Sequence, residues 1–167
     1  MIFLLIKEIS QNKKQYVIFY LSDKNFGVNI NQTKEILSNT KMTFVPDSPD
    51  FISGIINLRG SVVPVVNLKL RLNINGEKKN KEEKIIIVEF DGLTAGMMVD
   101  DVKEIEPLTK ENIVSLPDLA RKIDSDYIEG VGRAGKDDEL LLLLNLKNIL
   151  TNHEIEELKN VDGGIDG

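Results

Sequence analysis

The 167-residue chain contains no cysteine, no tryptophan and a single histidine, His153. Without cysteine it can form no disulfide, no thiolate nucleophile and no cysteine-based zinc or iron–sulfur site. One histidine leaves almost no material for a Ser-His-Asp triad or for a His-Glu-x-x-His zinc site. These absences argue against several large classes of enzyme and favour a function without catalysis.

Long apolar runs are also absent. The longest, Met1–Ile6 and Leu140–Leu144, fall far short of the roughly 20 residues that a membrane span requires. No basic region precedes Met1–Ile6, and Lys7 and Glu8 stand where a secretory signal has its small-residue cleavage site. Acidic residues outnumber basic ones by 27 to 21, which gives a net charge of −6 and argues against a broad nucleic-acid-binding surface. We therefore expect a cytoplasmic protein that neither inserts into a membrane nor binds nucleic acid.

Most of the chain shows short apolar runs separated by turn residues, the pattern of β-strands. Hairpin turns are indicated at Arg59-Gly60 and at Asp91-Gly92. A short helix is predicted over Gln32–Leu37, capped by Asn31, and a second helix over Asn148–Leu158. Many strands with little helix predict an all-β fold of the barrel or sandwich type.

An internal repeat is the most informative pattern in the sequence. At an offset of 69 (96 − 27), Gly27 aligns with Gly96 and Lys34-Glu35-Ile36 aligns with Lys103-Glu104-Ile105. Later segments align at offsets of 76 (131 − 55) and 78 (145 − 67), because the second half has longer loops. The repeat predicts two homologous lobes, each a small barrel of about five strands. Barrels of this size are filled by side chains, so we expect function on their outer walls and in the groove between them.

The repeat also suggests domain boundaries. We expect one domain over residues 13–158, preceded by an N-terminal leader and followed by a disordered tail. The predicted parts are the leader 1–12, a first barrel 15–75, a second barrel 82–147, a C-terminal helix 148–158 and the tail 159–167.

These same segments resemble the CheW family of coupling proteins in bacterial chemotaxis, over nearly the whole chain. The most specific part is the Gly-x-x-Asn-Leu-Arg-Gly motif at Gly54–Gly60, followed by the Val-Pro-Val strand at Val63–Val65. Gly96–Asp100 and Asn145-Leu146 support the resemblance, whereas Asn67 stands where an aspartate is common in the family. The resemblance implies two SH3-like five-stranded barrels in one CheW-like domain, with short helices that include a C-terminal one.

The resemblance further implies a non-enzymatic adaptor with no cofactor and no metal. Such a protein couples the cytoplasmic tip of methyl-accepting chemotaxis receptors to the regulatory domain of the histidine kinase CheA. It is recruited to receptor arrays at the inner face of the membrane. Two alternatives stay open: a CheW-like module of a larger kinase or receiver fusion, and a small-barrel ligand-binding protein.

Five residues correspond by position to places tied to partner binding in the family: Arg59, Gly54, Glu35, Thr33 and Gly96. Arg59 is the strongest candidate, because a turn tip is exposed and arginine is enriched at binding hot spots. Thr33 and Glu35 are expected on the short helix of the first lobe. Gly54 and Gly96 are most simply explained as structural, through a bulge or a close approach of strands.

Overall fold

The computed structural model of the chain describes residues 13–76, 83–120, 127–135 and 137–149. Strands dominate these residues, and the helices among them are short. The strands are β1 (Lys13–Leu21), β2 (Lys24–Asn29), β3 (Thr33–Ser38), β4 (Ile52–Leu58), β5 (Ser61–Asn67), β6 (Lys84–Phe90), β7 (Leu93–Val99), β8 (Asp101–Thr109), β9 (Ile113–Val114), β10 (Ile128–Ala134) and β11 (Glu139–Leu144). The α-helices are α1 (Leu68–Arg71) and α2 (Leu146–Ile149), and 3-10 helices cover Ile30–Gln32, Lys110–Asn112 and Asp118–Ala120.

The strands form two sheets, which make two SH3-like barrels. One sheet has six strands in the order β8-β1-β2-β11-β10-β9, and the other has five in the order β3-β6-β7-β5-β4. The sixth strand is the two-residue β9, and its counterpart in the other sheet is a single bridge between Thr43 and Ile55. The predicted all-β fold with two SH3-like barrels is confirmed.

The strand pairings divide the chain differently from the predicted barrels 15–75 and 82–147. In each sheet the first two strands of one repeat join the later strands of the other. β1 and β2 pair with β8 and β11 in a sheet that also contains β9 and β10, and β6 and β7 pair with β3 and β5 in a sheet that also contains β4. The two halves therefore exchange strands reciprocally, and neither barrel is a continuous stretch of sequence. A repeat identifies equivalent segments, but it does not say which of two equivalent partners a strand will choose.

The largest apolar cluster lies between the two barrels, and we call it the junction core. Of the residues that the structure describes, it contains 17 that are buried, whereas the interior of each barrel contributes a cluster of five. The members of the junction core are Val17, Phe19, Leu21, Phe26, Val28, Ile52, Val66, Leu68, Ile86, Val88, Leu93, Ala95, Met97, Val99, Leu144, Leu146 and Ile149. The space between the barrels, predicted as a groove, is thus occupied largely by packed side chains.

The first strand of each repeat explains how one sequence serves two cores. Successive side chains of a strand point to opposite faces. In β1, Tyr16 and Ile18 enter the interior of the six-stranded barrel, while Val17 and Phe19 enter the junction core. β6 alternates in the same way between the five-stranded barrel and the junction core. Both faces are buried, which is why these strands are continuous apolar runs.

Two polar contacts also tie the barrels together. The buried carboxylate of Asp100, at the end of β7, accepts a 2.6 Å hydrogen bond from the backbone N–H of Ser22 in the β1–β2 turn. The same oxygen lies 3.3 Å from Nζ of Lys69 in α1. Because the carboxylate has both a hydrogen bond and a cation, its burial is compensated.

At the helices, the guanidinium of Arg71 lies over two rings that are equivalent in the repeat. It is 5.5 Å from the centroid of Phe51 and 4.8 Å from that of Tyr127. Its Nε donates a 2.8 Å hydrogen bond to the carbonyl oxygen of Ile149 at the end of α2. Arg71 thereby joins α1, at the end of the first repeat, to α2, at the end of the second, through cation–π and hydrogen-bond contacts.

The predicted C-terminal helix begins earlier than expected. α2 starts at Leu146 and is described as far as Ile149, and Asn145 caps it by accepting a hydrogen bond from the N–H of Asn148 at 3.3 Å. The rest of the predicted helix, the leader 1–12 and the tail 159–167 lie outside the described residues.

The junction core predicts a large difference between two paired isoleucines. Ile86 is 0% exposed, and its cross-strand neighbour Ile36 in β3 is 43% exposed. We expect Ile86→Ala to lower the free energy of unfolding by about 3 kcal/mol, because it leaves a cavity in the junction core. Ile36→Ala is the matched control and should cost less than about 1 kcal/mol. Urea unfolding of both variants measures the difference, and equal losses would contradict the assigned core.

Candidate functional site

Arg59 lies at the tip of the β4–β5 hairpin. Leu58 pairs with Ser61, so Arg59 and Gly60 form a two-residue turn, with φ angles of +49° and +88°. These are the positive φ angles of the tight turn that matches the twist of paired strands. The backbone N–H of Gly60 also donates a 2.9 Å hydrogen bond to Oδ1 of Asn57. The turn is therefore fixed, and it projects the arginine side chain from the end of the five-stranded barrel.

The guanidinium of Arg59 forms a two-point ion pair with the carboxylate of Glu35 on β3. Nη1 donates to Oε1 at 3.1 Å, and Nη2 donates to Oε2. The Arg59 side chain remains 68% exposed, and that of Glu35 is 27% exposed. The pair holds the guanidinium in one orientation while leaving most of its surface open to a partner.

An open groove of about 660 Å³ runs beside this pair. Lys34, Glu35 and Arg59 line it on one side, and the β6–β7 turn lines it at Gly92 and Thr94. Its apolar floor is formed by the partly exposed side chains of Leu58 and Val62, above the buried Val63 and Ile87 of the barrel interior. The surface thus combines a cation, a carboxylate and an apolar floor, which suits contact with a protein surface.

Glu35 and Thr33 lie on a strand, so the predicted helix over Gln32–Leu37 is wrong. The helix present is the three-residue 3-10 helix at Ile30–Gln32, and its cap is Asn29 rather than Asn31. The sequence from Thr33 onward lacks apolar alternation, and its strand conformation comes from pairing with β6. Tertiary pairing overrides a weak local preference here.

Glu35 belongs to the lining of the groove, and Thr33 does not. Its hydroxyl donates a 3.2 Å hydrogen bond to the carbonyl oxygen of Asn29, and it is only partly exposed. The β3–β6 register shifts between Thr33 and Glu35, which leaves Lys34 as the extra residue of a bulge. Lys34 in turn pairs with Glu89 at 2.5 Å. Thr33 therefore shapes the start of β3, whereas Glu35 faces the groove.

Gly54 and Gly96 are both buried. A Cβ on Gly54 would lie 2.5 Å from the backbone oxygen of Thr43, which bridges to β4 at this point. A Cβ on Gly96 would lie 2.8 Å from Cγ2 of Ile85 and 3.3 Å from Cγ2 of Val65. Both glycines permit close packing of strands and offer no side chain to a partner.

Sequence reasoning missed two contributors to the site. Gly92 and Thr94 come from the second half of the chain, and strand exchange brings them to the groove. The predicted Asp91-Gly92 hairpin is present, and both residues have positive φ angles, but its position beside Arg59 depends on the exchange.

In the part of the chain that the structure describes, every helix is too short or too polar to cross a bilayer.

The family model of the CheW-like domain matches residues 15–154 of this sequence. The chain belongs to the CheW-like family. The resemblance predicted from the sequence is thereby confirmed.

Relatives and a solved structure agree with this assignment. The chain is 29% identical over 148 residues to the "Chemotaxis protein CheW" of Klebsiella aerogenes, covering 89% of this chain and 88% of that protein. It is also 29% identical over 143 residues to the "Chemotaxis protein CheW" of Bacillus subtilis, covering 86% and 90%. The crystal structure of the scaffolding protein TtCheW from Thermoanaerobacter tengcongensis superposes with a TM-score of 0.74 at 35% identity, covering 84% and 94%. Like these CheW relatives, the chain is a chemotaxis adaptor.

The geometry predicts that substitution at Gly54 lowers the stability of the protein more than substitution at Arg59. Gly54→Ala should lower the free energy of unfolding by about 2 kcal/mol, because its Cβ meets a backbone oxygen. Arg59→Ala should cost less than about 1 kcal/mol, because its ion pair is exposed. Thermal or urea unfolding of the two variants checks this. A loss at Arg59 as large as that at Gly54 would make Arg59 a structural residue.

Proposed function

We propose that this chain binds the cytoplasmic tip of methyl-accepting chemotaxis receptors and the regulatory domain of the kinase CheA. In this role it is a cytoplasmic adaptor that catalyses no reaction. The observation that carries the proposal is the exposed guanidinium of Arg59, held by Glu35 beside an open groove, in a chain of the CheW-like family.

The Arg59–Glu35 pair suits a binding role because the arginine is preorganised. A guanidinium has five N–H donors, and Glu35 takes two of them. The remaining donors and the planar face stay available to a carboxylate or carbonyl group of a partner. Little rotamer freedom is lost on binding, because the ion pair has already restricted the side chain.

The groove adds apolar contact area to this polar anchor. Hot spots generally combine a charged or aromatic group with a surrounding surface that excludes water. Leu58 and Val62, which are partly exposed, supply the apolar part, and Lys34 and Glu35 supply the polar rim. Gly54 and Gly96 support the same surface indirectly. Gly54 lets β4 approach Thr43, and Gly96 lets β7 pack closely on β5 and β6.

The mechanism that we propose for the adaptor is geometric. The junction core fixes the two barrels in one orientation, so partners bound on different faces are held at a fixed angle. Such an adaptor shifts the kinase between its active and inactive states only as far as it binds one state more tightly than the other. Each contact is expected to be small, and assembly into arrays supplies avidity.

Reversal of the charge at Arg59 tests the proposed surface. We expect Arg59→Glu to weaken co-sedimentation with a receptor signalling fragment or with the kinase regulatory domain by roughly thirtyfold, the loss typical of a hot spot. Kinase activity in the ternary assembly should fall with it. Arg133→Glu is the matched control, because Arg133 is an exposed arginine on β10 in the other barrel.

A second variant separates partner contact from turn geometry. The double variant Glu35→Arg with Arg59→Glu restores an ion pair of reversed polarity. If Arg59 contacts the partner, binding stays lost in the double variant. Full recovery of binding would assign Arg59 to turn geometry alone, and wild-type binding by Arg59→Glu would remove it from the site.

A further inference from the structure

The six-stranded barrel has an open pocket at one end, remote in sequence from Arg59 and its groove. We call it the Tyr16 pocket, and its volume is about 400 Å³. This volume is within the range of small-molecule sites in proteins. Three apolar side chains form what we call its apolar wall: Leu108, Ile113 and Leu143. The pocket is open to the surface, and the interior of the barrel beneath it is filled by packed side chains, as expected.

Tyr16 is the unusual member of the pocket lining. It is 3% exposed, and within the described residues its hydroxyl has no hydrogen-bond partner. Among the described residues, Oδ1 of Asn25 is the one buried side-chain polar atom without a partner, so the Tyr16 hydroxyl is open to the pocket rather than sealed in the barrel interior. Glu129 lines the same pocket, and its charge acts on the Tyr16 hydroxyl. The pocket therefore presents an unused hydrogen-bonding group at the bottom of a concave site.

The charged groups of the pocket are unbalanced. Lys14 and Lys110 are exposed cations, whereas Glu129 is the only acidic side chain among the lining residues described. Partial desolvation raises the pKa of Glu129, and the positive charge of Lys14 acts in the opposite direction. Burial, followed by the charge of Glu129, raises the pKa of Tyr16, so the phenol stays protonated and can donate. Two cations against one carboxylate favour a ligand with a single negative charge.

The internal repeat provides a comparison within the same molecule. The positions equivalent to Tyr16 and Glu129 in the five-stranded barrel are Ile85 and Ser53, at offsets of 69 and 76. Ile85 is 5% exposed and belongs to an entirely apolar cluster. The fold itself therefore requires neither the phenol nor the carboxyl group. Their presence in one barrel only is a specific feature of that barrel.

We propose that the Tyr16 pocket binds a small amphipathic monoanion, such as an aromatic carboxylate. The anionic group lies between Lys14 and Lys110, with the Tyr16 hydroxyl donating a hydrogen bond to it. The apolar body of the ligand packs on the apolar wall. Glu129 disfavours a second negative charge. This site is separate from the Arg59 surface, so the proposal stands or falls independently of adaptor function.

The test is an NMR titration of the full chain with methyl labels on Leu and Ile. Phenylacetate is the ligand, phenylacetamide is its neutral analogue and phenyl phosphate is its dianionic analogue. We expect phenylacetate to give saturable shifts at the apolar wall, with weaker binding of both analogues. Replacing the two lysines together, Lys14→Gln with Lys110→Gln, should weaken phenylacetate binding by about tenfold. Tyr16→Phe should weaken it by about fivefold.

Lys41→Gln is the matched control, because Lys41 is an exposed lysine outside the lining of the Tyr16 pocket. Its affinity for phenylacetate should equal that of the unmodified chain. Absence of saturable shifts at the apolar wall would overturn the proposal, as would equal binding of phenylacetamide. Tighter binding of phenyl phosphate would overturn the assignment of a monoanion, and unchanged affinity in the double lysine variant would overturn the assigned cations.

Discussion

The structure depends on burial of the junction core. Its 17 residues come from both halves of the sequence and from both barrels. Among the described residues, each barrel interior has a cluster of five buried residues, which is little for an independently stable domain. The barrels therefore stabilise each other, and the apolar strands β1 and β6 serve two cores at once. Two polar residues add further contacts across the junction. Asp100 bonds to the β1–β2 turn, and Arg71 stacks on Tyr127.

Duplication supplied two similar barrels, and divergence gave them different surfaces. In the five-stranded barrel, the two-residue turn at Arg59 and the carboxylate of Glu35 make a rigid charged tip. The equivalent of Glu35 in the other barrel is Glu104, and the hairpin that faces it is longer. In the six-stranded barrel, Tyr16 and Glu129 instead make a pocket. The same backbone thus carries two different surfaces, one that we propose for a protein partner and one that we propose for a small anion.

Much of the fold could be predicted from the sequence. The repeat, the hairpin turns at Arg59-Gly60 and Asp91-Gly92 and the Gly54–Gly60 motif identified the strands, the duplication and the family. Strand exchange could not be predicted, because both copies of a strand offer nearly the same apolar pattern to a partner. The strand at Thr33–Ser38 was missed for a related reason, since only its pairing with β6 determines its conformation.

Less of the site could be predicted. Arg59 was identified through its motif and its place in a turn. Its pairing with Glu35 joins residues 24 positions apart, and no local pattern specifies that contact. The glycines are different. That Gly54 and Gly96 allow strands to approach closely could be predicted from the missing side chain, and the short contacts that a Cβ would make there agree with it. Whether these residues bind partners as the resemblance implies stays a prediction.

Native-state hydrogen exchange at increasing denaturant tests the central claim most directly, namely that the exchanged strands make the two barrels one cooperative unit. Amides of β1 and β2 in one sheet, and of β6 and β7 in the other, should open with the same free energy and the same dependence on denaturant. Loss of protection in one sheet at a free energy well below that of the other would show that the barrels unfold separately, and would contradict the account.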